Sequence, residues 1–438
     1  MHKGGIFVKL ELQKALVKGI VWGNKTELLK DSTLQINKNE LLEFVSDVEN
    51  FSAIDADLAR PGEKVRIVPV KDVIQPRYKI EGKGQVFPGM ISDVETVGEG
   101  KTFVLEGAAV VTCGKIINFQ EGIIDMSGEG AKYTPFSKTM NMVLVVERKE
   151  GLENHAYEEA CRMAGFKAAL YLAKKAYESG AKADSIETYE MPSLSERLSE
   201  HPQLPKVAYL YMLQTQGLLH DSYVYGIDVK NIIPTLISPT EIMDGAIVSG
   251  NCVSACDKNS TYTHQNNPVI NKLYEHHGKD LNFVGVIITN ENVTLADKRR
   301  SSSYAVKLAT MIGVDGLIIS EEGFGNPDAD LIMNCTKAEK VGIKTVLITD
   351  EYAGRDGASQ SLADAAPEAD AVVTAGNANE IVVLPKMDKI IGFTEYVDII
   401  AGGFDGSLRP DGTIEVELQA ITGSTSELGF TNIGAKSW

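Results

Sequence analysis

LNFVGVIITNENVTLADKRRSSSYAVKLATMIGVDGLIIS, residues 281–320, sets the apolar run FVGVIIT against a helix-length stretch from about 294 to 311 and a second apolar run, GLIIS. Short runs that are apolar at every position, bounded by polar turns, read as strands covered on both faces. The same beat continues through a helical stretch from about 328 to 341, then TVLIT (345–349), AVVTA (371–375) and EIVVLP (380–385). Strands alternating with helices predict an α/β fold with a mostly parallel, Rossmann-like sheet in the C-terminal half. Such sheets bind ligands beyond the carboxyl ends of their strands. The loops predicted there are TNENVT (289–294), SEEGFGNPDAD (320–330) and TDEYAGRDG (349–357), all polar and acidic. GFGN (323–326) lacks the G-x-G-x-x-G spacing of a dinucleotide fingerprint, so a nicotinamide cofactor is not supported.

Upstream the texture changes. Residues 1–145 carry short β-type runs such as KVRIVPVKDVI (64–74) and TFVLEGAAVVTC (102–113), broken by Gly-rich turns. A second region, 146–251, opens with a helix pattern in which Ala156, Ala160, Met163, Leu170, Ala173 and Tyr177 recur at three- and four-residue steps until Gly180. Strands are predicted at VAYLYML (207–213) and YVYGIDV (223–229), with the polar stretch 185–205 as a surface excursion between helix and strand. The third region, 252–438, holds the alternating half.

With 43 Lys plus Arg against 60 Asp plus Glu, the net charge of -17 repels phosphate backbones and anionic lipid, which argues against nucleic-acid and membrane-surface partners. No apolar run reaches membrane-span length and the N-terminus alternates apolar with polar residues, so a cytoplasmic protein is expected. Five cysteines (Cys113, Cys161, Cys252, Cys256 and Cys335) are too few and too scattered for a disulfide framework.

The most chemically loaded stretch is GAIVSGNCVSACDKNSTYTHQNNPVI, residues 245–270. A glycine before an Asn-Cys bond permits strained backbone geometry in which a thiolate attacks the preceding carbonyl, and the thioester so formed hydrolyses or loses sulfur by β-elimination. The competing reading makes Cys252 a buried apolar residue at a strand end. Lys258 and His264 are candidates for holding a carboxylate or moving protons, against the plainer reading of the lysine as a solvated loop residue. Cys252 and Cys256 lack a second paired cluster, which leaves metal binding unsupported, and His276 and His277 read as a helix end whose charge complements the helix dipole.

VAYLYMLQTQGLLHDSYVYGIDVKNIIPT, PTEIMDGAIVSGNCVSACDKN, HGKDLNFVGVIITNENVTLADK, SEEGFGNPDADLIMNC and KTVLITDEYAGRDG together resemble the alpha/beta proprotein of component B in the clostridial glycine, sarcosine and betaine reductases. The resemblance spans essentially the full length. It implies a self-processing oxidoreductase subunit cut between Asn251 and Cys252, with Cys252 becoming an N-terminal pyruvoyl cofactor that takes the amine substrate as a Schiff base. It further implies a hetero-oligomer with a separate selenoprotein subunit of component B. Two more partners follow: the small selenoprotein component A, whose selenolate displaces the amine, and an acetyl-phosphate-forming component C. Two other classes remain. An N-terminal-nucleophile hydrolase using Cys252 would expose a free thiol that forms no hydrazone, and a non-catalytic binding subunit would stay one chain.

Overall fold

The computed structural model describes residues 8–217, 222–250, 254 and 258–428. The N-terminal part is built from β1 (Val8–Leu16), β2 (Phe51–Ala59), β3 (Val65–Ile74), β4 (Arg77–Glu81), β5 (Gly100–Glu106), β6 (Ala108–Gly114), β7 (Gly122–Asp125) and β8 (Met140–Arg148). They form two sheets, of which one has the order β7-β3-β6-β8-β2. Strand β3 is buried at every position, Lys71 and Asp72 included, so its polar side chains must find partners inside the protein. Helix α1 (Asn154–Glu178) packs its Ala-rich surface and Phe166 against these sheets and shares one core with Leu105, Val110 and Leu144.

The stretch 185–205, expected as a surface excursion, instead supplies β9 (Ser185–Met191), an edge strand antiparallel to β1, and a short helix, Leu194–Glu200. Alternation of Ile186, Thr188 and Glu190 with Glu187, Tyr189 and Met191 suits an edge strand whose one side meets water. The strand expected at 223–229 is a hairpin: Ser222–Val224 pairs with Ile227–Asp228, because Tyr225 and Gly226 both take positive φ, 48° and 78°. That pair of angles turns the chain back on itself.

The parallel sheet contains β10 (Lys206–Leu213), β11 (Thr235–Ile237), β12 (Asn282–Asn290), β13 (Gly316–Ser320), β14 (Lys344–Glu351) and β15 (Val372–Asn377), in the order β11-β12-β10-β13-β14-β15. All neighbours are parallel except the edge strand β11. Helices α2 (Leu295–Ile312) and α3 (Asn326–Lys340) link β12 to β13 and β13 to β14. Thr294 caps the start of α2 by accepting the Asp297 N–H, and Gly313, at φ 76°, ends it in the left-handed conformation that glycine adopts without strain. Strand β10 carries Tyr209 and Tyr211 to one face and Leu210 and Met212 to the other, each face entering a different core. The EIVVLP run does not join this sheet; Ile381–Leu384 pairs with Ile414–Glu417.

Counted along the chain, the parallel strands lie in the order 2-1-3-4-5. The first strand is central, and the direction of winding reverses between the carboxyl ends of β10 and β13, where such sheets open a ligand crevice. Two pairings tie early to late sequence: β10 is bonded on both sides by strands that follow residue 251, and Lys389–Gly392 runs parallel to β3.

Candidate functional site

The segment 245–270 belongs to the excursion between β10 and β12, and its residues Lys258 and His264 meet the carboxyl ends of β10, β13 and β14. Asn251, Cys252 and Cys256 lie outside the described residues. Their neighbours Gly250, Ser254 and Lys258 are all buried. Ile247–Ser249 is a short strand paired with Ser222–Val224, and Thr261–Gln265 is a helical turn begun by Ser260, whose hydroxyl accepts the Thr263 N–H.

That turn is clamped from both halves of the molecule. Asp72 accepts hydrogen bonds from the Thr261 N–H (2.9 Å) and hydroxyl (2.6 Å), while the Thr261 hydroxyl oxygen accepts the Ser249 N–H at 3.0 Å. Burial pushes the Asp72 carboxyl up to about 7, against the pull of its hydrogen bonds with Thr261. The Gln75 N–H donates to the side chain of Gln265, and Arg77 donates to its carbonyl. From β10, Tyr211 meets Nδ1 of His264 at 2.6 Å.

Both sequence-predicted assisting residues sit inside. His264 is fully buried, with Nε2 3.0 Å from a Glu322 carboxylate oxygen. Lys258 is buried with a positive φ of 57°, a strained conformation for a long side chain, and its ammonium pairs with Asp350. It also lies 4.5 Å from the ring centre of Phe324 and 5.4 Å from that of Tyr352, which stack 3.7 Å apart. The solvated-loop reading of Lys258 is therefore incorrect: the strand-exit loops enclose it.

The acidic loops meet at one edge because their strands are parallel neighbours. Glu322 accepts the Gln214 N–H and the Ser222 hydroxyl, both at 2.7 Å, and its own N–H donates to Glu291 at 2.7 Å. Thr349 donates to Glu321, and Glu427 arrives from the C-terminal segment to accept from Asn259 at 3.4 Å. Burial holds the carboxyls of Glu291, Glu321 and Glu427 well above the ordinary carboxylate range. Asp72, Tyr211 and Glu427 were not singled out from sequence. Asp72 carries a weak signal, a charge inside an otherwise apolar β run; the other two carry none, since only folding brings them to residues 258–264.

Elsewhere the chemistry is quiet. Cys113 and Cys161 are buried thiols pushed up to about 12, hence unreactive. Among the described residues, the one trio with metal-ligand atoms in mutual reach is Glu200, His201 and His277. Nδ1 of His277 accepts the Phe283 N–H at 3.0 Å, so a neutral ring carries its proton on Nε2, facing Glu200, and offers no lone pair there. His276 bonds Asp280 at the helix end. No helix among the described residues is long and apolar enough to cross a membrane.

The family described as glycine/sarcosine/betaine reductase component B subunits matches residues 8–436. The chain belongs to this family. It is 62% identical over 435 residues to the glycine reductase complex component B subunits alpha and beta of Acetoanaerobium sticklandii, covering 98% of this chain and all of that one. Against the protein of the same description from Peptoclostridium acidaminophilum the identity is 59% over 433 residues, again 98% and 100% covered. The sarcosine reductase complex component B subunit alpha of the latter organism is 54% identical over 429 residues, with the same coverage. No solved structure matches the chain. As a component B family member, the protein has a role in an amino-acid reductase system of several components.

Proposed function

We propose that this component B chain matures by cutting itself between Asn251 and Cys252, that Cys252 becomes a pyruvoyl group, and that the matured protein activates an amine for a partner selenolate. The observation that supports this reading is that Gly250, Ser254, Lys258 and His264, which flank that bond in sequence, are all buried, with Lys258 on Asp350 and His264 beside Glu322 near the reversal of strand order. Two relatives assign two subunits, alpha and beta, to a chain of this length, which supports a precursor.

In maturation the Cys252 thiolate attacks the Asn251 carbonyl carbon, and the peptide nitrogen leaves as the amine of residue 252. Elimination then breaks the Cβ–S bond and expels Asn251 as a thiocarboxylate. Water replaces the nitrogen of the remaining enamine, releasing ammonia and leaving the ketone. Asp72, through Thr261, fixes the Ser249 N–H and thus the approach of the chain to the bond; His264 is the candidate proton carrier. Lys258 is the candidate holder of the substrate carboxylate.

A ketone that must take an amine instead of water needs a dry polar site, and buried Gly250, Ser254 and Lys258 with unpartnered buried oxygens nearby fit that need. When present, the pyruvoyl group supplies a carbonyl that holds the amine as a Schiff base and draws electrons from its carbon–nitrogen bond. The partners are the selenoprotein subunit of component B, the small selenoprotein component A and the acetyl-phosphate-forming component C, in a cytoplasmic hetero-oligomer.

Mass spectrometry tests this directly. Two chains are expected, 1–251 and 252–438, the second blocked to Edman chemistry and reactive toward hydrazines. Because β10 belongs to the first chain and its neighbours to the second, the two copurify until denatured. Cys252→Ala gives one intact inactive chain, whereas Cys256→Ala still cleaves. An active protein with unmodified Cys252 in a continuous chain overturns the reading.

A further inference from the structure

We infer that His264 works on the Asn251–Cys252 bond through Tyr211, as the middle member of a Glu322–His264–Tyr211 proton relay whose outer end is the Tyr211 hydroxyl. The inference rests on the maturation just proposed and deepens it, by naming the group that exchanges a proton with the Cys252 sulfur.

The ground is the valence of the imidazole. Its ring has two nitrogens, and the fold occupies both. Nδ1 lies 2.6 Å from the Tyr211 hydroxyl, and Nε2 lies 3.0 Å from Oε1 of Glu322, an oxygen that has no hydrogen-bond partner among the described residues. All three side chains are fully buried. Each is fixed from a different element. Tyr211 belongs to β10, His264 to the turn clamped by Asp72, and Glu322 to the loop after β13. Oε2 of Glu322 accepts the Gln214 N–H and the Ser222 hydroxyl, which leaves Oε1 for the histidine.

The direction of the relay follows from where the protons sit. Burial holds the Tyr211 phenol well above its ordinary range, so it keeps its O–H and donates to Nδ1. A neutral ring then carries its proton on Nε2, towards Glu322. This is the hydroxyl–imidazole–carboxylate order of a proton-transfer triad, with a tyrosine in the place of a serine. Asn267 adds a donor. Its Oδ1 accepts the Val269 and Ile270 N–H groups, and its amide nitrogen serves Tyr209 and Tyr211, where it favours loss of a phenol proton.

The relay and the bond share one neighbourhood. Ser249, three residues before Cys252, gives its N–H to the Thr261 hydroxyl at 3.0 Å, and His264 stands in the same helical turn as Thr261. Three residues of chain span at most about 10 Å.

Protons and bonds balance. The Cys252 S–H proton passes to the Tyr211 oxygen as the Tyr211 proton passes to Nδ1, leaving a thiolate and an imidazolium that faces Glu322 and Asp72. The remaining ionisable groups that face Tyr211 are Tyr209 and Glu427. The thiolate forms the carbon–sulfur bond at the Asn251 carbonyl, the carbon–nitrogen bond breaks, and the same two transfers in reverse protonate the departing nitrogen. No electrons change hands.

The test follows the precursor, made by cell-free translation, on denaturing gels over time and at several pH values. Tyr211→Phe keeps the ring and should slow cleavage by about a hundredfold. Tyr209→Phe is the control. That phenol stacks on Tyr211 with ring centres 4.9 Å apart and meets Ser320 at 2.5 Å, so its loss also removes a buried hydrogen bond, yet it should cleave at the wild-type rate. Tyr211→Phe combined with His264→Gln should be no slower than the slower single variant, because members of one relay fail together. A fluorinated tyrosine at position 211, a stronger acid of nearly the same shape, should move the pH–rate profile to lower pH. Thermal melts check folding, and the fluorinated protein decides the question if Tyr211→Phe does not fold. Cleavage of Tyr211→Phe at the wild-type rate, equal slowing by both phenylalanine variants, additive slowing in the double variant, or an unmoved profile with the fluorinated residue overturns the relay. Any of these beside a wild-type chain that cleaves leaves the maturation standing; a wild-type chain that never cleaves sinks both.

Discussion

Two buried regions handle charge in opposite ways. In the N-terminal β layer, three buried cations have their own carboxylate, since Arg66 donates twice to Asp125, at 2.6 and 2.7 Å, Lys71 meets Glu121 at 2.7 Å, and Lys79 pairs with Asp244, while buried Arg77 is held by the neutral oxygens of Gln75, Gln265 and Asn266. Asp244 is further held by the Gly98 N–H and the Thr102 hydroxyl. At the carboxyl edge of the parallel sheet, five carboxyls share one lysine and one histidine. Pairs with satisfied geometry fix how sheets and loops join, since the wrong register would strand a charge. A surplus of raised carboxyls fixes nothing by itself and instead keeps protons that the unfolded chain would lose.

The sharpest way to break this contrast is to unpair the N-terminal layer. Asp125→Ala leaves the Arg66 guanidinium buried with the Pro385 carbonyl as its remaining acceptor. A loss of about 3–5 kcal/mol of stability is expected, the range for stranding one member of a buried ion pair. Urea unfolding monitored by circular dichroism checks it. A loss below about 1 kcal/mol would mean that water reaches Arg66 and that the pair is no more than a surface contact.

Asp72 is, with Arg77, an exception in its layer, and it marks the limit of what sequence made legible. The strands and helices of the alternating half could be read because strands covered on both faces need apolar residues at every position, and because stretches of helix length separate them. Lys258 and His264 could be singled out because they follow an Asn-Cys bond. Periodicity says nothing about neighbours, however, so the central place of β10 and the reversal beside β13 were hidden. A charged residue in a β run ordinarily signals a solvent face; in β3 both faces are covered, and Asp72 points its carboxyl at Thr261, 189 positions away. Glu427 lies in a short segment with no periodicity at all.

Replacing Thr261 asks whether Asp72 belongs with the structural pairs or with the site. Thr261→Val keeps the shape and the backbone N–H donor but removes the hydroxyl donor to Asp72 and the acceptor for the Ser249 N–H, a change expected to destabilise the fold by about 1–3 kcal/mol. Thr261→Ser keeps both bonds. If the strut serves maturation, the valine variant cleaves slowly even when a melt shows it folded, and the serine variant cleaves at the normal rate; gel assay of the two chains over time decides. Equal cleavage by both variants would return Asp72 to the structural side.

The smallest expected effect has the opposite sign and separates the two regions most cleanly. Burial raises the folded-state pKa of Glu427 above its unfolded value, so the folded protein holds a proton that the unfolded chain has already lost. The stability linked to that proton is complete below the ordinary glutamate range near 4.5 and is lost as pH rises towards the raised folded value. Glu427→Gln has no proton to lose. Its stability should match wild type near pH 4.5 and exceed it by about 1 kcal/mol at pH 8, since one pKa unit corresponds to about 1.4 kcal/mol and neighbouring carboxyls share part of the shift. Denaturant midpoints at the two pH values measure the difference. A glutamine variant that is less stable than wild type at pH 8 would show that Glu427 is ionised and paired, like Asp125, and the contrast between the two regions would fail at that residue.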